Sequence, residues 1–318
     1  MALKRRGILV HPEDLTERWI DRMAEAGLND LGLHPVGGKN AAETMEEAVR
    51  TFNLPKMKKL RSYARSKGIT VEYEGHAMSW LIPRSLFSSV PEWFRMDGNG
   101  KRTPDYNFCP SNPEAMEYLK ERAALLARLL ATGSDRYYFW ADDVRDGACR
   151  CEKCRSLSTS DQQLLMVNAM LQGIKRFKPE AKLCYLAYFD TVEVPANVLP
   201  EKGVFLEFAP FRRNLHRPII DDSCEENKNE IRSLPQLLEF FGKREARVLE
   251  YWTDNSLMSN WTKPPKQFTL DGEVMKQDVA YYKSLGFEDI TAFGCYLGED
   301  YDALYGEADL RPYGENLK

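Results

Sequence analysis

The strongest constraint on the fold is an alternation. Eight short apolar runs recur along the 318 residues, and stretches of helical periodicity separate most of them. The strand-like runs are GILVH (7–11), DLGLH (30–34), ITVEYEGH (69–76), RYYFW (136–140), KLCYLAY (182–188), VFLEFAP (204–210), RVLEYW (247–252) and DITAFGCYL (289–297). Helical patterns fill 14–27, 40–49, 55–68, 113–131, 160–177, 234–244 and 272–286. Asp14 can cap the first of these with Glu17 three residues on, Gly27 ends it, and Pro113 opens the fourth. Eight strands alternating with helices predict an α/β protein built as a single (β/α)8 TIM-type barrel over residues 1–318. One unit departs from the pattern: DTVEVPANVLPEKG, between the fifth and sixth strands, reads as turns. A doubly wound sheet is the rival, but the chain has no glycine-rich phosphate loop to go with it.

Length is spent unevenly on the connections. Residues 77–112, 141–159 and 211–229 are long loops after the third, fourth and sixth strands, whereas helix-to-strand links such as GLND and TGSD are short. Long loops at the C-terminal ends of barrel strands are where such folds place their chemistry.

Those strand ends carry a consistent set of residues. His11, His34 and His76 end the first three strands, and the chain has only four histidines. Trp140, Asp142 and Asp143 end the fourth, Tyr188 and Asp190 the fifth. Glu207 lies in the sixth, and Glu250, Trp252 and Asp254 close the seventh. Carboxylates flanked by aromatics suit glycoside cleavage: one acid protonates the leaving oxygen, and a second attacks the anomeric carbon or activates water. Aromatic walls stack on sugars and desolvate the acid, which raises its pKa. Glu207 and Glu250 are therefore candidate catalytic residues, joined by Asp142 and Asp143. His11, His34, His76, Trp140, Tyr188, Asp190, Trp252 and Asp254 are candidate sugar-binding residues. Each has a structural alternative. Glu207 could pair with Arg212, Arg213 or Arg247, the histidines could be hydrogen-bonded wall residues, and Trp140 and Trp252 could fill the barrel mouth.

A second signal is Cys149-x-Cys151-x-x-Cys154. Thiolates at this spacing can clasp a structural zinc, with Cys109, Cys184, Asp146 or Asp161 as fourth ligand; the alternative is free or paired thiols in a folded loop. No cofactor is expected for catalysis. The formal charge of −4 argues against a nucleic-acid partner, and no run approaches the roughly 20 apolar residues of a membrane span. The start, MALKRRGILVH, lacks the apolar core of a signal peptide, so a cytoplasmic location is expected, or a secreted or periplasmic one if an export signal has been removed.

The stretches WADDVRDGACRCEKCRSLSTSDQQLLMVNAM and KLCYLAYFDTVEVPANVLPEKGVFLEFAPF resemble the bacterial domain-of-unknown-function 4838 group, which overlaps glycoside hydrolase family 163. The resemblance is strongest over 136–211 and extends more loosely to 298. It implies a retaining endo-β-N-acetylglucosaminidase whose two glutamates fall on Glu207 as acid/base and Glu250 as nucleophile, with an N-glycan or a shorter oligosaccharide as substrate. Asp142–Asp143 also resembles the acidic pair after the fourth strand of barrel hexosaminidases. There the substrate's own acetamido group attacks, one acid orients it and the other protonates the leaving group. A non-catalytic carbohydrate-binding barrel and a metal-dependent hydrolase or isomerase using the three histidines remain as rivals.

Overall fold

A computed structural model describes residues 2–318. Eight parallel strands, β1 (Arg5–Val10), β2 (Asp30–Leu33), β3 (Thr70–His76), β4 (Arg136–Trp140), β5 (Lys182–Ala187), β6 (Val204–Phe208), β7 (Arg247–Glu250) and β8 (Asp289–Ala292), close into a barrel in sequence order. With helices alternating between them, this is the expected (β/α)8 barrel. The helices are α1 (Glu17–Glu25), α2 (Ala41–Phe52), α3 (Pro55–Ser66), α4 (Met78–Leu81), α5 (Pro113–Leu129), α6 (Thr159–Lys175), α7 (Glu225–Ile231), α8 (Leu234–Phe241), α9 (Asn255–Met258), α10 (Gly272–Leu285), α11 (Glu299–Tyr305) and α12 (Arg311–Asn316). Among the described residues, no helix is long and apolar enough to cross a membrane.

The chain groups into two compact units: Met1–His34 with Leu54–Glu72 and Leu206–Lys318, and Pro35–Asn53 with Tyr73–Phe205. In the first, α1 turns Trp19, Ile20 and Met23 inward, and Thr16 caps it by accepting from the Trp19 amide at 3.1 Å. The cap expected at Asp14 is displaced because Pro12–Asp14 form a 3-10 turn first, so the α-helix begins one turn later. In the second unit, Asn112 caps α5, with Pro113 at its first position, where a missing N–H costs nothing. A Cβ at Gly173 would lie 2.0 Å from the Lys120 carbonyl oxygen, so only glycine lets α6 approach α5 this closely.

The β5–β6 connection holds no α-helix, as its turn-rich sequence predicts. Asp161 on α6 takes over the job of ordering it by accepting from the amides of Ala196 and Asn197 and the side chain of Asn197. Several strands stop short of their apolar runs. β7 ends at Glu250 and β8 at Ala292, and the remaining apolar residues bury themselves in the loops beyond.

Candidate active site

Glu207 and Glu250 belong to two separate buried networks. Arg247, Asp289 and Asp30 are the first residues of β7, β8 and β2. Arg247 is wholly buried, with Asp30, Glu72 and Glu207 each 3.7 Å away and Asp289 at 3.5 Å. Carboxylates from four strands converge on the guanidinium of a fifth only inside a barrel, and the starts of β2, β7 and β8 place this layer at the N-terminal end, the end associated with stability. Glu207 is a member of that layer, with no exposure. The ion-pair alternative with Arg247 is the one its geometry supports. Crowding the carboxylates has a cost: burial, then the neighbouring Glu72, pushes the Asp30 carboxyl up to about 7.

Glu250 faces the other way. Along β7, Arg247 points inward, so period-two alternation turns Val248 and Glu250 outward. The Glu250 carboxylate accepts from Arg213 and from Tyr282 of α10, both at 2.6 Å. Arg213 also pairs with Asp278 of α10 at 2.7 Å, and Asp278 accepts from the Trp252 indole and the Ile219 amide. Arg213 and Glu250 are both fully buried. Burial raises the Glu250 carboxyl above its usual range, and Arg213 pulls it back. This network fastens the loop after β6 to α10. It gives Trp252, expected to touch sugar, a buried structural partner instead.

Asp254 caps α9, accepting from the Ser256 and Leu257 amides and the Ser256 hydroxyl; burial lifts its carboxyl above the ordinary range. His11 and His34 stack with ring centroids 5.8 Å apart, and the His11 Nδ1–H donates to the His34 carbonyl at 2.8 Å. The edge of Phe293 meets His34, and Tyr251 stacks on Phe293, so the two histidines continue an aromatic wall.

The end of β4 offers different chemistry. Asp142 is saturated: its carboxylate accepts from the Ser79 and Asn107 amides and from the Arg84 guanidinium, and its side chain is 5% exposed. The Asn107 side chain accepts from the Asp142 amide in return. Asp142 therefore pins the long loop after β3. The next residue, Asp143, is half-buried and accepts from the Tyr188 hydroxyl at 3.0 Å. His76 donates Nδ1–H to the Ala141 carbonyl at 2.6 Å, which leaves Nε2 as its outer nitrogen, and packs edge-on against buried Trp140. A Cβ at Gly37 would meet His76 Cδ2 at 2.8 Å and Asp143 Oδ2 at 3.7 Å, so the loop after β2 passes directly over both. Asp190 accepts from the Asp146 amide. His76, Asn107, Asp142, Gln162, Tyr188 and Asp190 all line one cleft. This corner thus collects six of the residues expected from sequence: His76, Trp140, Asp142, Asp143, Tyr188 and Asp190. Arg84, Asn107 and Gln162 were not foreseen; only the length of their loop, or the helix start, hinted at a role.

Beside this cleft, Cys109, Cys149, Cys151 and Cys154 bring their sulfurs within 4.8 Å of one another, all buried. The four form a group able to coordinate a metal ion, and Cys109 supplies the fourth position sought from sequence. Cys184 is buried elsewhere, Asp161 caps α6, and Asp146 pairs with Arg150.

The closed barrel of eight parallel strands sets the fold class, a (β/α)8 barrel. It matches the β-galactosidase of Rahnella sp. R3 over 100% of this chain and 55% of that one (TM-score 0.56, 12% identity), so the chain spans about half the length of that enzyme. An O-GlcNAc hydrolase from Thermobaculum terrenum (99% and 59% covered, TM-score 0.53, 15% identity) shares the fold, as does Thermotoga maritima Cel5A with cellobiose (98% and 96%, TM-score 0.52, 10%). No curated protein matches the chain. Residues 41–296 match the model for the domain of unknown function DUF4838, and the chain belongs to that family.

Proposed function

We propose that the protein is a glycoside hydrolase acting on β-linked, N-acetylglucosamine-containing oligosaccharides, with Asp143 as its proton donor. The observation carrying this reading is the contrast in availability. Asp143 is a half-buried carboxyl at a strand's C-terminal end, oriented by Tyr188, while Glu207 and Glu250 are committed to buried cations. In the substrate-assisted route one protein acid serves as proton donor, and the nucleophile is the substrate's own acetamido group. Asp143 gives its proton to the glycosidic oxygen as that C–O bond breaks, and the sugar's acetamido oxygen closes on the anomeric carbon to form an oxazolinium ion. Water then adds at that carbon and returns a proton to the Asp143 carboxylate, releasing the sugar with net retention. In this reading His76, Tyr188 and Asp190, which line the cleft, meet sugar hydroxyls.

The test is cleavage of β-N-acetylglucosaminides and a panel of glycans by wild type and Asp143→Asn. The variant is expected to lose about 10²–10⁴-fold in kcat/KM. The loss should shrink on aryl glycosides whose leaving group departs without a proton. Undiminished turnover by the variant would overturn the assignment of Asp143. Glycan binding by wild type without any release of reducing ends would favour the carbohydrate-binding reading, which the saturation of Asp142 by three donors supports.

A further inference from the structure

We propose that Cys109, Cys149, Cys151 and Cys154 hold one zinc ion, and that this ion locks the loop after β3 onto the loop after β4, setting the position of Asn107 on Asp142. The claim stands apart from the proposed hydrolysis: a chain that cleaved nothing would still carry the clamp.

Distance is the first support. A Zn–S bond of about 2.3 Å makes the edge of a tetrahedral ZnS4 unit about 3.8 Å. Cys109 Sγ lies 3.7 Å from Cys151 Sγ and 3.8 Å from Cys154 Sγ. A disulfide would need about 2.05 Å and would engage only one partner. One sulfur equally near two others suits a shared ion.

The backbone supplies the second. Cys151 to Cys154 form a tight knuckle, the Cys154 and Arg155 amides both donating to the Cys151 carbonyl. Facing it, the other loop makes a small hairpin in which Met96 and Arg102 pair and Gly100 takes a left-handed turn (φ 78°). The Arg150 amide donates to the Met96 carbonyl and ties hairpin to knuckle. Donors then surround the sulfurs: the Met96 amide reaches Cys149 Sγ at 3.3 Å, Arg102 reaches it at 3.8 Å, and the Ser111 hydroxyl lies 3.0 Å from Cys154 Sγ. Such donors offset the negative charge that four thiolates around a divalent ion would carry. Tetrahedral sulfur sites select zinc or iron, and the latter is resolved by the test.

The third support joins the cluster to the cleft. Cys109 sits two residues after Asn107, whose amide and side chain bond reciprocally with Asp142. On the other side Gln162 of α6 accepts from the Cys149 amide and donates to the Cys149 and Cys154 carbonyls, while also lining the cleft. The loop after β4, residues 141–159, is mostly polar, so a metal–ligand crosslink to its neighbour would supply rigidity that apolar packing does not.

Elemental analysis of the protein purified from zinc-supplemented medium should give about one zinc per chain. Cobalt(II) exchanged into the site should show the intense visible bands of tetrahedral thiolate coordination. Cys109→Ser should lose both. Should that variant fail to fold, zinc stripped from wild type by a mercurial and captured by a metallochromic dye gives the same count. Iron in place of zinc, disulfides among these four cysteines, or no metal at all would overturn the ion. Removal of the zinc should also speed amide exchange across residues 104–110 by about tenfold or more. Unchanged exchange there, with zinc gone, would overturn the clamp.

Discussion

Glu250 and Asp143 look alike in sequence, each a carboxylate closing an apolar strand beside a tryptophan, and the structure treats them oppositely. Glu250 is sealed, with Arg213 and Tyr282 at 2.6 Å. Asp143 is half-buried, with a tyrosine hydroxyl at 3.0 Å. The difference comes from parity and from where the strand stops. Glu250 is still inside β7, on the face that alternation turns toward the helices. Asp143 lies three residues past the end of β4, where the chain is no longer bound to that alternation. A buried carboxylate with a matched cation is an expensive structural device, whereas a half-buried one keeps part of its surface open to solvent.

The largest effect that would sharpen this contrast is expected at Arg213. Arg213→Met leaves Glu250 and Asp278 buried together without their cation, at a cost of about 3–5 kcal/mol in urea denaturation. Adding Glu250→Gln to that variant should recover part of the loss. If Arg213→Met left stability unchanged, Glu250 would be free for other work and the contrast with Asp143 would fail.

A pH titration of stability probes the other buried cluster. With its folded carboxyl near 7 against an ordinary 3.8, Asp30 holds its proton more tightly folded than unfolded. That contribution to stability is full below the ordinary value and disappears as pH rises through about 7. Asp30 shares its surroundings with Glu72, Asp289, Arg247 and Arg5, so the neutral isostere Asp30→Asn should flatten the decline and gain on wild type at pH 8. A steeper decline in the variant would mean that the negative charge of Asp30 is needed to balance Arg247.

What the sequence made legible follows the same physics. All eight strands and the bare β5–β6 link are visible because period two, period 3.6 and turn residues are local signals. The cysteine cluster is half visible: the knuckle is local, but Cys109 joins from a loop about 40 residues away, which spacing alone cannot select. The separation of Glu207 from Glu250 is not local, because it depends on side-chain direction along the strands. Arg247, Asp289 and Asp30 each open a strand with a charge, and such charges need one another inside a barrel. That claim on Glu207 is readable in hindsight. The outward turn of Glu250 follows once Arg247 is known to point in. Arg84 and Asn107 were invisible because their partner, Asp142, is distant in sequence and their loop has no periodicity.

The smallest expected effect tests how Asp143 is held. Tyr188→Phe keeps the ring that packs on Phe189, with centroids 4.0 Å apart, and deletes only the hydroxyl. One hydrogen bond is worth about 1 kcal/mol net, so kcat/KM should drop by roughly fivefold, and stability should move by less than about 0.5 kcal/mol because the side chain is partly exposed. Under the proposal Tyr188 positions the acid and transfers no proton, so its deficit should shrink together with that of Asp143→Asn on aryl glycosides that leave unaided. A deficit on natural linkages as deep as that of Asp143→Asn would make the tyrosine the proton donor. Asp143 would then be the base that holds it, and the half-open carboxylate would share the supporting role that burial gives to Glu250.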